Sequence, residues 1–205
     1  MTDQGKPRPR RRSLYAKSAA VFRWLHIYLS MLSFAAMMFF AFTGITLNHP
    51  TWFGASEQSV RDEAGGIDAN LLSGEVDRLQ VAESIRSTHS LRGRVAEFEI
   101  DEFECMLVFK GPGYAADVFV DRSTGKYTVT EISTGAMAVL NDLHKGRDSG
   151  KGWAWVIDIS AVLMLLMSLA GFGLLFYLKK RRVSGVVTAV AGTVVLVAAW
   201  AIWVP

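Results

Sequence analysis

The chain has 205 residues, of which 51% are hydrophobic and 20% charged, with a formal net charge of +3. That is the length of one domain, but it is too apolar for a soluble one, and its charges vanish from three long runs; a purely soluble enzyme and a disordered tail protein are both excluded. A single cysteine, Cys105, excludes an internal disulfide, a CxxC redox pair, a Cys-rich zinc site and the CxxCH attachment of a c-type haem.

The charge is segregated along the chain. Lys6, Arg8, Arg10, Arg11, Arg12, Lys17 and Arg23 crowd a basic arm over residues 1–24, and Lys179, Lys180, Arg181 and Arg182 form a second cluster. Residues 51–150 between them carry a net −7. Basic clusters beside apolar runs are topology signals and contacts to anionic lipid, so membrane lipids are the expected partners and nucleic acid is not.

The first apolar run, residues 25–47, has no charge and as a helix measures roughly 34 Å, enough to cross a hydrocarbon core of about 30 Å. It is longer than the apolar region of a cleaved signal peptide and leads into Asn48-His49-Pro50-Thr51-Trp52, so it reads as an uncleaved anchor. A second span covers residues 153–178, interrupted only by Asp158; a basic turn at 179–185 precedes a third span over 186–204. The positive-inside rule places the N-terminus and the basic turn in the cytoplasm and residues 48–132 outside, as in a bacterial inner-membrane protein with a periplasmic domain. Trp24 then falls at the inner boundary, and Trp52, Trp153, Trp155, Trp200 and Trp203 at the outer one, as an aromatic belt requires.

Within the outer segment, Asp77 followed by Gln80 reads as a helix N-cap with a capping-box partner, and Leu79, Ala82 and Ile85 recur at helical spacing to about Thr88. After Gly93 the period becomes two: Ala96, Phe98 and Ile100 alternate with charges, followed by strands at 105–109, 114–121 and 127–132 separated by glycine-containing turns. The expected architecture is an α-helical membrane protein of three spans carrying a small α+β domain, one helix on about four antiparallel strands. Residues 133–152 form an interfacial helix and loop, in which Thr134 caps a helix that Gly146 ends.

The phrase Val118-Phe119-Val120-Asp121-Arg122-Ser123-Thr124-Gly125-Lys126 resembles a PepSY domain, in which a strand ends in an Asp-x-x-Thr-Gly turn. Arg23-Trp24-Leu25-His26-Ile27-Tyr28-Leu29-Ser30, Thr43-Gly44-Ile45-Thr46-Leu47-Asn48-His49 and Leu140-Asn141-Asp142-Leu143-His144-Lys145-Gly146-Arg147 are similar to the PepSY-associated transmembrane family, and the likeness covers residues 20 to 182. Some larger members of that family are inner-membrane reductases that carry b-type haem between histidines and reduce iron in siderophores. The resemblance therefore implies haem b and electron transfer. This chain is shorter, with a single insert and three spans.

Four histidines are available. His89 follows the expected helix and reads as a solvated helix-end residue. His26 and His49 bracket the first span at roughly 34 Å, so they cannot share one metal. His49 and His144 belong to the same outer layer, with Met137, Leu140 and His144 on one helix face and Asn141 and Asp142 toward others. Two imidazoles from different helices suit a six-coordinate haem, with Gly44 and Gly171 as small residues where a porphyrin would meet helices. The bland reading, interface histidines bonded to backbone or headgroups, stays open beside it.

Asp158 is expected to face protein, either orienting His49 or His144, serving as a proton relay, or making a structural hydrogen bond to Thr43, Thr46 or a backbone group. Lys145 and Arg147 are candidates for haem propionates or members of a solvated turn. His26 has no histidine near it on the other spans, so an inner site requires a homodimer. Met31, Met37, Met38, Met164 and Met167 read as packing.

Ser133-Thr134-Gly135-Ala136 lacks the later Thr of a covalent flavin motif, so no covalent flavin is expected, and no nucleophile elbow or HExxH occurs. The leading expectation is an inner-membrane b-type haem electron-transfer protein with a redox partner. The others are a non-catalytic membrane-anchored PepSY module that binds a partner protein, and a transition-metal protein using His49, His144 and Asp158.

Overall fold

A computed structural model describes residues 14–74 and 76–205; the basic arm up to Arg12 lies outside the described residues. The chain runs α1 (Leu14–Asn48), β1 (Gln58–Gly66), α2 (Arg78–His89), β2 (Arg94–Ile100), β3 (Glu104–Gly111), β4 (Tyr114–Asp121), β5 (Lys126–Thr134), α3 (Ala136–Lys145), α4 (Gly150–Leu175) and α5 (Arg182–Trp203). Three helices, α1, α4 and α5, are long and apolar enough to cross a membrane. Helix α1 begins eleven residues before the uncharged run at Leu25, α4 stops at Leu175 rather than 178, and α5 begins at Arg182. Two compact units divide the chain, one of residues up to Met37 with Ile159–Pro205, the other Met38–Asp158.

The second unit holds the sheet domain. Asp77 caps α2 by accepting from the backbone N–H groups of Leu79 and Gln80, at 3.0 and 3.1 Å. Val81, Ala82 and Ile85, on one side of α2, are buried against the inner sheet face. That face is built by alternation: Cys105, Leu107 and Phe109 of β3, Ala116, Val118 and Val120 of β4, and Tyr127 and Val129 of β5 all point inward. Burying side chains of this size stabilises the domain by about 1.5–3 kcal/mol each. Pro112 and Gly113 form the two-residue link between β3 and β4; Gly113 holds φ +65°, a conformation that a side chain disfavours.

The sheet has five antiparallel strands in the order β1-β5-β4-β3-β2, not four. Gln58–Gly66 was not expected to be a strand because only Val60 and Ala64 among its residues are apolar and the rest are polar or glycine, and nearly all are exposed. It pairs with β5 over nine positions, from Gln58 opposite Thr134 to Gly66 opposite Lys126, so backbone hydrogen bonds and not an apolar stripe define it.

Helix α3 also departs from expectation at its start. Thr134 is the last residue of β5, and its hydroxyl donates to the Gly113 carbonyl at 2.9 Å. Gly135 occupies the N-cap without a side-chain bond. The other end is as expected, with Gly146 at φ +69° closing the helix.

Candidate functional site

Helix α3 brackets the sheet domain to the last turns of α1. On one side Asp142 accepts the Gly113 N–H at 2.9 Å, fixing the β3–β4 turn. On the other, Asn141 and His144, three residues apart, meet Thr46 and Thr43, also three apart. The Thr46 hydroxyl donates to Asn141 Oδ1 at 2.7 Å, and both threonines are fully buried. Asn141 therefore shares the docking side with His144 instead of facing elsewhere. Trp153 Nε1 closes the bracket by donating to the Leu143 carbonyl at 2.7 Å.

The bond at His144 fixes its tautomer. Thr43 Oγ1 lies 2.6 Å from the Phe39 carbonyl, which can only accept, so the hydroxyl proton goes there. His144 Nδ1, 2.5 Å from the same oxygen, must then be the donor. In the neutral ring Nε2 then keeps its lone pair, and it has no hydrogen bond among the described residues. The ring sits edge-on to Phe40 with centroids 5.1 Å apart, and a Cβ at Gly44 would lie 3.8 Å from its Cε1.

In the other unit His26 repeats the arrangement. Its Nδ1 lies 3.1 Å from the carbonyl of Met167, again an obligate acceptor, so Nδ1 carries a proton and, in the neutral ring, Nε2 keeps the lone pair. A Cβ at Gly171 would come within 2.9 Å of His26 Cε1, so the glycine gives the imidazole its seat. Gly44 and Gly171 thus receive histidine rings, the role that small residues were expected to play for a porphyrin. Met167 offers its sulfur to the Ser33 hydroxyl at 3.6 Å; Met31, Met37 and Met38 are exposed on α1.

His49 is not joined to His144 by any bond or ring contact. Its ring stacks on Trp52, centroids 4.0 Å apart and planes 10° apart, at the end of α1. Helix α1 ends at Asn48, so His49 lies just past its last turn, in the segment that leads to Trp52. Asp158 is also corrected: it is exposed on α4, with no hydrogen bond or ion pair among the described residues. Arg147 lies 3.9 Å from Asp142, and Lys145 is exposed. Among the described residues no group of three or more His, Cys, Asp or Glu side chains is placed to hold a bare metal ion, which removes the set of His49, His144 and Asp158.

His89, expected to be solvated, has a side chain only 9% exposed. Its Nδ1 bonds the Glu63 carboxylate, and Nε2 lies 2.9 Å from Tyr127 Oη. Arg61 joins the cluster, 3.3 Å from Glu63 and 2.6 Å from Glu131. Burial, more than the nearby Glu63 charge, raises the Tyr127 phenol pKa against the opposing effect of Thr88. Sequence spacing gave no sign of this cluster, because Glu63 and Tyr127 meet only through the pairing of β1 with β5.

Three membrane-crossing helices and one α+β domain, a helix on a five-stranded antiparallel sheet with its strand-end Asp121 turn, define a membrane-anchored PepSY-type protein. The PepSY_TM-like family model PepSY_TM_like_2 matches residues 20–205, and the chain belongs to that family. No curated protein and no solved structure matches it.

Proposed function

We propose that the protein is an inner-membrane b-type haem electron-transfer protein, with Nε2 of His144 and of His26 as iron ligands. The observation that carries this reading is the shared arrangement: each histidine gives its Nδ1–H to a fixed oxygen, which in the neutral ring leaves Nε2 with its lone pair. Haem-ligating histidines need that arrangement, since the bonded second nitrogen orients the ring and raises its basicity. When bound, haem supplies one-electron chemistry, in keeping with reduction of a periplasmic ferric-siderophore or other metal acceptor. Thr43 and the Met167 carbonyl hold the two rings, and Gly171 gives that of His26 its room. His49 is the candidate second ligand at the His144 site, reached when its ring leaves Trp52, and a second copy of the chain completes the His26 site. Lys145, exposed beside His144, is the candidate propionate partner, whereas Arg147 is drawn toward Asp142. Orientation follows the charge clusters, with the sheet domain periplasmic.

The test is an oxidised and dithionite-reduced absorption spectrum of the detergent-purified protein after expression with sufficient haem. A Soret band that sharpens on reduction, halves in His144→Ala and in His26→Ala, and disappears in the double variant supports the reading. A folded, haem-supplied protein with no Soret band overturns it.

A second reading is favoured by a cleft of about 700 Å³ on the sheet domain, lined by Ala64, Phe103, Glu104, Phe119, Lys126 and Thr128. Phe103 is 76% exposed there, which suits a PepSY module that binds a partner protein.

A further inference from the structure

Asp158 lies five residues beyond Trp153 on α4, about 7 Å further along the helix. A carboxylate at that depth of an apolar helix is costly to leave without a donor, yet this one is exposed and has no hydrogen bond or ion pair among the described residues. It stands opposite the packed side of α4, where Ser160 and Ala170 are buried and Met167 meets Ser33 and His26. The same outward side carries Trp155, 68% exposed, whose indole N–H also has no acceptor among the described residues. Three residues separate them, less than one helical turn, so a donor without an acceptor and an acceptor without a donor lie side by side.

We infer that this face of α4 binds the same face of a second copy of the chain, with Trp155 of each protomer donating to Asp158 of the other. A parallel pair of helices related by a two-fold axis along the membrane normal makes such a reciprocal contact, because residue i meets j and j meets i. The complementarity is built into one face, so the occupant that satisfies both groups at once is the chain itself. Ala154 and Ala161 flank Asp158 on the same side, both exposed, and their small side chains allow the backbones the close approach that interhelical hydrogen bonds in a bilayer require. The contact does not depend on haem.

Disulfide trapping in native membranes tests it. The native thiol is silent, since Cys105 is fully buried in the sheet domain. Ala154→Cys and Ala161→Cys place a thiol on the proposed face, whereas Val156→Cys places one that is 44% exposed in the native residue but on the far side of α4. Mild oxidation is expected to trap dimers of the first two with at least several times the yield of the third. In the Ala154→Cys background, Trp155→Phe, which removes only the N–H, and Asp158→Leu are each expected to weaken dimerisation by about tenfold, and the two together no further. Equal trapping at positions 154 and 156, no trapping at either alanine, or yields unaffected by Trp155→Phe and Asp158→Leu overturn the inference. The Asp158 and Trp155 side chains make no hydrogen bond or ion pair among the described residues, so an unchanged circular-dichroism spectrum and melting temperature of monomeric detergent samples separates loss of dimer from loss of fold. The Soret experiment is read on the unsubstituted chain and on histidine variants, so either result stands without the other.

Discussion

His144 Nδ1 and Thr43 Oγ1, 101 positions apart in sequence, lie 2.5 Å apart, and their bond joins α3 to the last turns of α1. With the Thr46 to Asn141 bond one turn away, it makes the junction between the sheet domain and its membrane helix a polar, directional one. Thr43→Val keeps the volume but leaves the His144 N–H without an acceptor. The expected cost is about 1–3 kcal/mol, whereas Thr43→Ser is expected to be close to neutral. Thermal unfolding of detergent-solubilised protein measures the difference; equal melting temperatures for the valine and serine variants would show that the bond carries no stability.

The Glu63, His89 and Tyr127 cluster ties the edge strand β1 to α2, and β1 has few apolar contacts to replace it. His89→Leu is expected to raise amide hydrogen exchange across residues 58–66 while leaving the β3–β4 pair protected. Uniform exchange across all five strands would contradict that local role.

Burial raises the pKa of the Cys105 thiol, with Arg122 opposing, and burial likewise raises those of the Tyr114 and Tyr127 phenols. A folded-state pKa above its unfolded value gives stability that is complete below the unfolded value and lost as pH rises through the folded one. The sheet domain is therefore expected to hold constant stability up to about pH 8 and to lose it above about pH 9 to 10, where unfolded thiols and phenols ionise. Urea unfolding followed at several pH values from 7 to 10.5 checks the sign. Cys105 should also resist alkylation at pH 8 until the domain unfolds, and fast labelling of the native protein would refute its burial.

Gly171 seats the imidazole of His26, and a Cβ there would crowd Cε1 at 2.9 Å. Gly171→Val is expected to push the ring off the Met167 carbonyl and to cost about 1–3 kcal/mol through overpacking. If His26 holds haem, the same variant loses the His26 share of the Soret band, and Gly171→Ala, which already carries the crowding Cβ, loses part of it. A valine variant with wild-type stability would mean that the ring is not confined as described.

The sequence by itself determined the three membrane helices, because an uncharged apolar run of sufficient length leaves the backbone no other way to satisfy its hydrogen bonds in lipid. It also determined the cap of α2 at Asp77 and strands β3 to β5, whose alternating side chains carry their burial in their spacing, whereas in β2 a bulge between Val95 and Glu97 puts Val95 and not Ala96 against the core. Strand β1 was invisible because its stability comes from backbone pairing with a partner some seventy residues away, which leaves no periodic pattern in its own residues. The histidines were legible as candidates, but not their roles. Which side of a helix a residue occupies follows from its number, whereas which side meets another element depends on packing. Packing turned His144 toward Thr43, left His49 on Trp52 and turned Asp158 outward. Only the tertiary structure could decide the tautomers of His26 and His144, since each is set by an oxygen brought from more than a hundred residues away.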